Sequence, residues 1–278
     1  MRIGNKIFAP GSGCFIMGIL NVTPDSFSDG GKWASMDKAL RRAEEMISEG
    51  MDILDIGGES TRPGHTKISD EEETERVAPV ITAVKERFDV PVSLDTYKHK
   101  VARAGLQAGA DMINDIWGLK YDSGEMAQLL AESGCPCCLM HNRQDMDYGD
   151  FFSDVISDMR ETLEIAENAG ISRENIIVDP GVGFAKTVEH NLEMIDRLDE
   201  FGRALGLPVL LGASRKSVIG KTLDLPADQR IEGTLALSCI GVMKGASFLR
   251  VHDVKENIRA VRMTEAVMKG YKHGQDLY

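Results

Sequence analysis

Short apolar runs at 15–20, 52–57, 91–95, 111–116, 137–141, 175–179, 208–213 and 247–252 alternate with longer stretches in which apolar residues recur at helical spacing. Those longer stretches cover about 37–49, 70–88, 98–108, 123–133, 152–169, 189–206, 228–244 and 254–270. The joins between them repeat one motif, a helix ending at glycine just before a strand: "SEGMDILDI", "QAGADMINDI", "ESGCPCCLM", "NAGISRENIIVD" and "KGASFLRVH". Gly50, Gly109, Gly134, Gly170 and Gly245 therefore read as left-handed helix ends, a conformation glycine takes without a Cβ clash.

Eight strands alternating strictly with eight helices predict an α/β fold, the (β/α)8 TIM barrel, for which about 250 residues is typical. The competing architecture is a doubly wound open sheet, but no GxGxxG follows the first strand. No linker or compositional break interrupts the pattern, so residues 1–278 read as a single domain. Residues 1–14 are expected to form a hairpin or plug closing the barrel bottom.

Every expected strand ends in polar chemistry: Asn21; Asp55; Asp95; Asn114 with Asp115; His141; Asp179; Ser214 with Arg215 and Lys216; Arg250 with His252. A parallel barrel gathers these ends on one rim, where such folds hold their active sites. Polar residues mark many strand ends, but that alone is a poor account of all eight.

Composition narrows the chemistry. With 42% hydrophobic and 27% charged residues in 278, the chain can bury a large core. A net charge of -12 disfavours nucleic acid and anionic membranes as partners, so an anionic ligand needs locally placed cations. No run approaches the roughly 18 apolar residues of a membrane span, and "MRIGNKIFAPGSG" lacks the apolar core of a signal peptide. A cytoplasmic protein is expected. Five cysteines, three of them in "CPCC", suit neither a secreted disulfide framework nor a zinc site, which would need a second Cys or His pair.

Asp95, Asn114 and Asp179 at one pocket bottom suit a ligand rich in N–H donors, such as the edge of a pterin ring. Asp55 reads as a structural partner for the "STRPG" loop. Lys216 and Arg215 leave the seventh strand in "GASRKSVIG" with Ser217 at a helix start, a place for an anion or a carbonyl oxygen. Arg250 and His252 stand two apart and share a face beside Asn21 once the barrel closes. Together these three suit a pyrophosphate and its Mg²⁺, which prefers oxygen ligands and retained water. The loops "TPDSFSDGGK" and "GESTRPGHTKIS" are long enough to be binding loops. His65 and His190 read as solvent-facing, and Phe184 in "DPGVGFAKT" as an apolar wall.

The stretches "NVTPDSFSDGG", "GGESTRPG", "DTYK", "INDIWG", "LMHNR", "DPGVGFAKT", "GASRKS" and "RVHDV" together resemble the dihydropteroate synthase family, pterin-binding barrels of folate synthesis. The resemblance spans nearly the whole chain, in family order. It implies that Asp95, Asn114, Asp179 and Lys216 hold a pterin, with Arg250 stacked on its face. It implies that Asn21, Arg250 and His252 take pyrophosphate, Asn21 also contacting Mg²⁺. Thr61, Arg62, Pro63, Arg215 and Ser217 would form a p-aminobenzoate pocket walled by Phe27 and Phe184. Lys216, Arg250, Asp95 and Asp179 would form the catalytic set.

The implied reaction joins 6-hydroxymethyl-7,8-dihydropterin pyrophosphate to p-aminobenzoate, and the implied assembly is a homodimer. Two other readings compete. A corrinoid-dependent methyltetrahydrofolate methyltransferase would share the pterin acids but would not need "SRK" or "RVHD". A non-catalytic pterin-binding paralogue would not need every cation and loop intact.

Overall fold

The computed structural model describes residues 1–9, 11–22, 31–59 and 67–270. The chain opens with β1 (Arg2–Ile3) and β2 (Lys6–Ile7), an antiparallel hairpin, and then runs β3 (Phe15–Asn21), α1 (Gly31–Ser48), β4 (Ile53–Gly57), α2 (Asp70–Arg87), β5 (Val92–Asp95) and α3 (His99–Gln107). It continues β6 (Met112–Asp115), α4 (Glu125–Ser133), β7 (Cys137–Met140), α5 (Phe151–Ala169), β8 (Ile176–Asp179), α6 (Val188–Asp196) and α7 (Leu198–Leu205). The last elements are β9 (Leu210–Leu211), α8 (Ser217–Leu223), α9 (Ile231–Met243), β10 (Phe248–Val251) and α10 (Val254–Lys269). Strands β3 to β10 form one parallel sheet in the order β8-β7-β6-β5-β4-β3-β10-β9, and a bridge from Val178 to Val209 brings β9 back beside β8. The expected barrel is present.

All five glycines read as helix ends take positive φ, from 63° at Gly134 to 108° at Gly109. Helix starts are capped as their sequences suggest: Ser69 Oγ accepts from the Glu72 N–H ahead of the acidic first turn of α2, and Asp150 does the same for Ser153 in α5. Two expectations shift. The helix expected over 189–206 is divided at Arg197, whose guanidinium lies 3.6 Å from the Phe152 ring centroid and pairs with Glu193 and Glu200. The seventh strand, expected over 208–213, is regular only at Leu210–Leu211, because its end turns toward α8.

Strand alternation separates two cores. Ile16, Leu20, Leu54, Ile56, Leu94, Ile113, Leu139, Val178, Leu211 and Leu249 belong to the large cluster shared with the helices. Met17, Ile53, Met112, Cys138, Ile177, Leu210 and Phe248 form a second cluster inside the barrel, and Ile3 and Phe8 of the hairpin complete it. Phe8 packs against Phe15 and Phe248 at ring distances of 4.7 and 5.7 Å, so the hairpin is the plug expected from the sequence. Cys135, Cys137 and Cys138 are buried and unpaired, and burial pushes their thiols up, out of the range of metal-binding or reactive cysteines. Among the described residues no helix is long and apolar enough to cross a membrane.

Phe8 is 4% exposed, and its loss opens a cavity at the barrel floor. Phe8→Ala is expected to lower unfolding free energy by about 3–5 kcal/mol in urea titrations. A loss below about 1 kcal/mol would show that the hairpin is not part of the core.

Candidate active site

Two residues beyond the apolar layer, the same inward faces carry polar and charged groups. Ile53 is followed by Asp55, Met112 by Asn114, Ile177 by Asp179 and Phe248 by Arg250. The period of two that fills the floor thus builds a polar layer above it. Arg250 crosses this layer: its Nε donates to Asp55 Oδ2 at 2.6 Å and its Nη2 to Asp95 Oδ2 at 2.5 Å. Asp55 was expected to serve the "STRPG" loop; instead it is fully buried and paired with Arg250, a contact between strands 195 residues apart that no local pattern reveals.

Charge in the layer is unbalanced. Burial pushes the Asp95 carboxyl up to about 7, against the pull of Arg250. Burial likewise raises Asp179, opposed chiefly by Lys216 and by the Gly181 N–H, which donates to Asp179 Oδ1 at 2.7 Å. Asn114 stands in register with Asp95 and is 3% exposed. Asp55 Oδ1 and Asp95 Oδ1 are buried with no hydrogen-bond partner among the described residues. Orphaned carboxylate oxygens in a pocket are costly, and an N–H-rich ligand relieves them.

Lys216 precedes α8 and reaches back to the Val182 carbonyl, its ammonium 4.6 Å from the Phe184 ring centroid. Burial lowers its pKa to about 8. Gly183 lets the lysine stem pass, since a β-carbon there would lie 3.0 Å from Lys216 Cδ. Phe184 joins Tyr97, Ile116, Trp117 and Met140 in a small apolar cluster above the polar layer. A β-carbon on Gly212 would sit 3.5 Å from Asp179 Oδ2 and 3.9 Å from Arg250 Cβ, so the missing side chain leaves room between them.

Asn21 ends β3 in register with Gly57, where an added β-carbon would meet Asn21 Oδ1 at 3.7 Å and Asp95 Oδ2 at 3.6 Å. His252 Nδ1 lies 3.0 Å from Ser214 Oγ, which also accepts the His252 backbone N–H at 3.2 Å. Arg215 and Lys216 diverge: Arg215 is exposed, has φ 57°, and forms a two-nitrogen ion pair with Asp253. Ser217 is exposed at the first position of α8. Phe27, Thr61, Arg62, Pro63 and His65 lie outside the described residues.

Several groups escaped the sequence reading. His190, expected to face solvent, is half-buried and stacks on Phe151 with centroids 4.2 Å apart. Lys98 donates to Glu59 at 2.6 Å and to the Ile68 carbonyl at 2.8 Å, and pairs with Glu73 at 2.7 Å. These bonds join Glu59 and Ile68 through one buried lysine. Lys186 lies against His141 behind the Asp179 turn; its only sequence signal is a lysine following an apolar pair in "GFAK".

A parallel eight-stranded barrel whose C-terminal rim holds buried acids, an amide and two cations defines a barrel enzyme for an N–H-rich heterocycle. The model of the pterin binding enzyme family matches residues 17–252. The dihydropteroate synthase of Clostridium beijerinckii is 54% identical over 270 residues, covering 97% of this chain and 100% of that one. The Bacillus subtilis dihydropteroate synthase is 52% identical, covering 93% of this chain and 91% of its own. Among solved structures, the Clostridium difficile dihydropteroate synthase in the presence of pteroic acid superposes with a TM-score of 0.91 at 46% identity, covering 94% of this chain and 99% of that one. The Xanthomonas albilineans enzyme with 4-aminobenzoic acid gives a TM-score of 0.89 at 40% identity, covering 94% and 95%. The chain belongs to the dihydropteroate synthase family, transferases of folate biosynthesis.

With Asp95 near 7, part of the ligand-free protein carries a proton there at neutral pH. N–H donors favour the ionised form, so pterin binding at pH 7 is expected to release a fraction of a proton, falling toward zero above about pH 9. Calorimetry of 6-hydroxymethylpterin binding in buffers of different ionisation enthalpy measures it; proton uptake or no exchange at pH 7 would contradict this assignment.

Proposed function

We propose that the chain condenses 6-hydroxymethyl-7,8-dihydropterin pyrophosphate with p-aminobenzoate, giving 7,8-dihydropteroate and pyrophosphate. The observation that carries this reading is the buried layer of Asp55, Asp95, Asn114 and Asp179 with two orphaned carboxylate oxygens, crossed by Arg250. The relatives solved with pteroic acid and with 4-aminobenzoic acid support the pterin and arylamine halves of the substrate pair.

Asp95, Asn114 and Asp179 accept the pterin N–H groups, and Lys216 and Arg250 place positive charge over the ring. Asn21, Arg250 and His252 grip the pyrophosphate. The Asn21 amide oxygen beside the Gly57 cradle suits Mg²⁺, which when bound neutralises charge on the pyrophosphate. Thr61, Arg62, Pro63, Phe27, Phe184, Arg215 and Ser217 surround the arylamine. The bond from the methylene to the pyrophosphate oxygen breaks with its electron pair leaving on oxygen, and the conjugated dihydropterin shares the positive charge. The arylamine lone pair then forms the new C–N bond, and its surplus proton passes to water. The arylamine is neutral at pH 7, so no side-chain nucleophile is needed; positioning and leaving-group stabilisation carry the catalysis.

The unpaired thiols support a cytoplasmic location. On α10 Met263 is 65% and Val267 73% exposed, one turn apart, and we assign this apolar face to a homodimer. Val267→Glu is expected to shift sedimentation toward the monomer; an unchanged mass, or a monomeric parent, would remove the dimer.

Mixing both substrates with Mg²⁺ is expected to release pyrophosphate, and Lys216→Ala to slow release by about tenfold or more, chiefly through weaker pterin binding. An inactive parent protein would overturn the reading. The arylamine pocket is completed only when the pterin substrate is in place, so p-aminobenzoate is expected to bind only to enzyme preloaded with pterin, Mg²⁺ and pyrophosphate. Equal calorimetric affinity for the free enzyme would reject ordered binding, and a near-unity secondary deuterium isotope effect at the methylene, with chemistry rate-limiting, would reject the dissociative step.

A further inference from the structure

Lys186 is a buried cation with no place in the mechanism above. It follows the β8 end by seven residues, is 8% exposed, and its ammonium lies 2.8 Å from His141 Nδ1 and 3.2 Å from the Phe184 carbonyl. Behind it runs a directed chain. His141 Nε2 is 2.9 Å from Asp158 Oδ2, which also accepts Arg143 Nε at 2.6 Å, while Asp158 Oδ1 accepts Arg143 Nη2 at 3.1 Å.

Although burial alone would raise it, hydrogen bonds from His141 and Arg143 hold the Asp158 carboxyl well below the usual carboxylate range. An ionised Asp158 can only accept, so His141 carries its proton on Nε2 and offers the Nδ1 lone pair to Lys186. Burial, lowering the His141 pKa to about 4, keeps the ring neutral. Burial also lowers Lys186 to about 7, opposed chiefly by Asp179.

The ammonium is pressed against the back of the Asp179 turn. A β-carbon on Gly181 would lie 3.2 Å from Lys186 Nζ and 2.0 Å from the His141 carbonyl oxygen, and the Gly181 N–H is the donor to Asp179 Oδ1. On the pocket side the same turn is held by Lys216 at the Val182 carbonyl. Residues 181–184 are thus held by two lysine Nζ groups, Lys216 at the Val182 carbonyl and Lys186 at the Phe184 carbonyl. Stability does not explain the second, since well-packed apolar groups replace buried charges at little or no loss.

We propose that Lys186 is a positioning residue for the pterin subsite: oriented by the Arg143–Asp158–His141 chain, it holds the 181–184 turn so that Asp179 and Lys216 meet the pterin in a preset geometry. The proposal rests on the pterin reading of the site. It places function in Asp158 of α5, which touches neither the turn nor any group assigned to substrate.

The test is fluorescence titration of the parent protein, Lys186→Met, Asp158→Ala and the double variant with 6-hydroxymethylpterin, alongside circular dichroism. Lys186→Met is expected to weaken binding about tenfold or more, and Asp158→Ala about threefold or more, because His141 is then no longer held to one tautomer. The double variant should bind no more weakly than Lys186→Met alone, since both act through one contact. Folded single variants that bind within twofold of the parent would overturn the proposal, as would losses that simply add. If Lys186→Met does not fold, Asp158→Ala, on a partly exposed helix position, decides by the same criterion. A parent protein that binds no pterin would instead overturn the pterin reading, and this proposal with it.

Discussion

The contact of Arg250 with Asp55 and Asp95 is the constraint on which the upper half of the barrel depends. Three acids lie inside a closed sheet above an apolar floor, where an unpaired carboxylate is costly. A guanidinium bridges two of them with separate N–H donors while staying charged. It enters from β10, passes β3, and ends on β4 and β5, so three strands share one electrostatic unit. The neutralisation is incomplete, and the oxygens left over are what make the pocket a receptor for N–H groups.

A second consequence concerns the turn after β8. It supplies a carboxylate from Asp179, a carbonyl from Val182 and an aromatic face from Phe184 within six residues. Such a short loop does not hold three functional directions by its own torsions. Lys216 at the Val182 carbonyl and Lys186 at the Phe184 carbonyl hold it, and the Asn191 side chain accepts the Gly183 N–H at 2.6 Å while donating to the Thr187 carbonyl at 2.6 Å. Rigidity at the site is thus drawn from the strand ends and from α6 rather than from the loop.

Eight strands, their floor layer and their polar ends were legible because each depends on spacing within one segment. Met112 and Asn114, or Phe248 and Arg250, share a face by strand geometry alone. The helix-ending glycines were legible for the same reason, since positive φ is a local demand. The divided helix at Arg197 was not, because its break accompanies a contact with Phe152 on another helix. His190 was misjudged likewise: an exposed-looking ring on α6 finds Phe151 of α5.

By itself, then, the sequence determined the barrel, the rim on which chemistry gathers, and the residues at each strand end, all consequences of periodicity along the chain. Tertiary structure alone decided partnership: Asp55 to Arg250, Arg215 to Asp253, His252 to Ser214, and Lys186 to His141. Those pairings join residues separated by 38 to 195 positions. Which charge meets which follows from where barrel closure and burial bring them, and no local pattern in the chain encodes that distance.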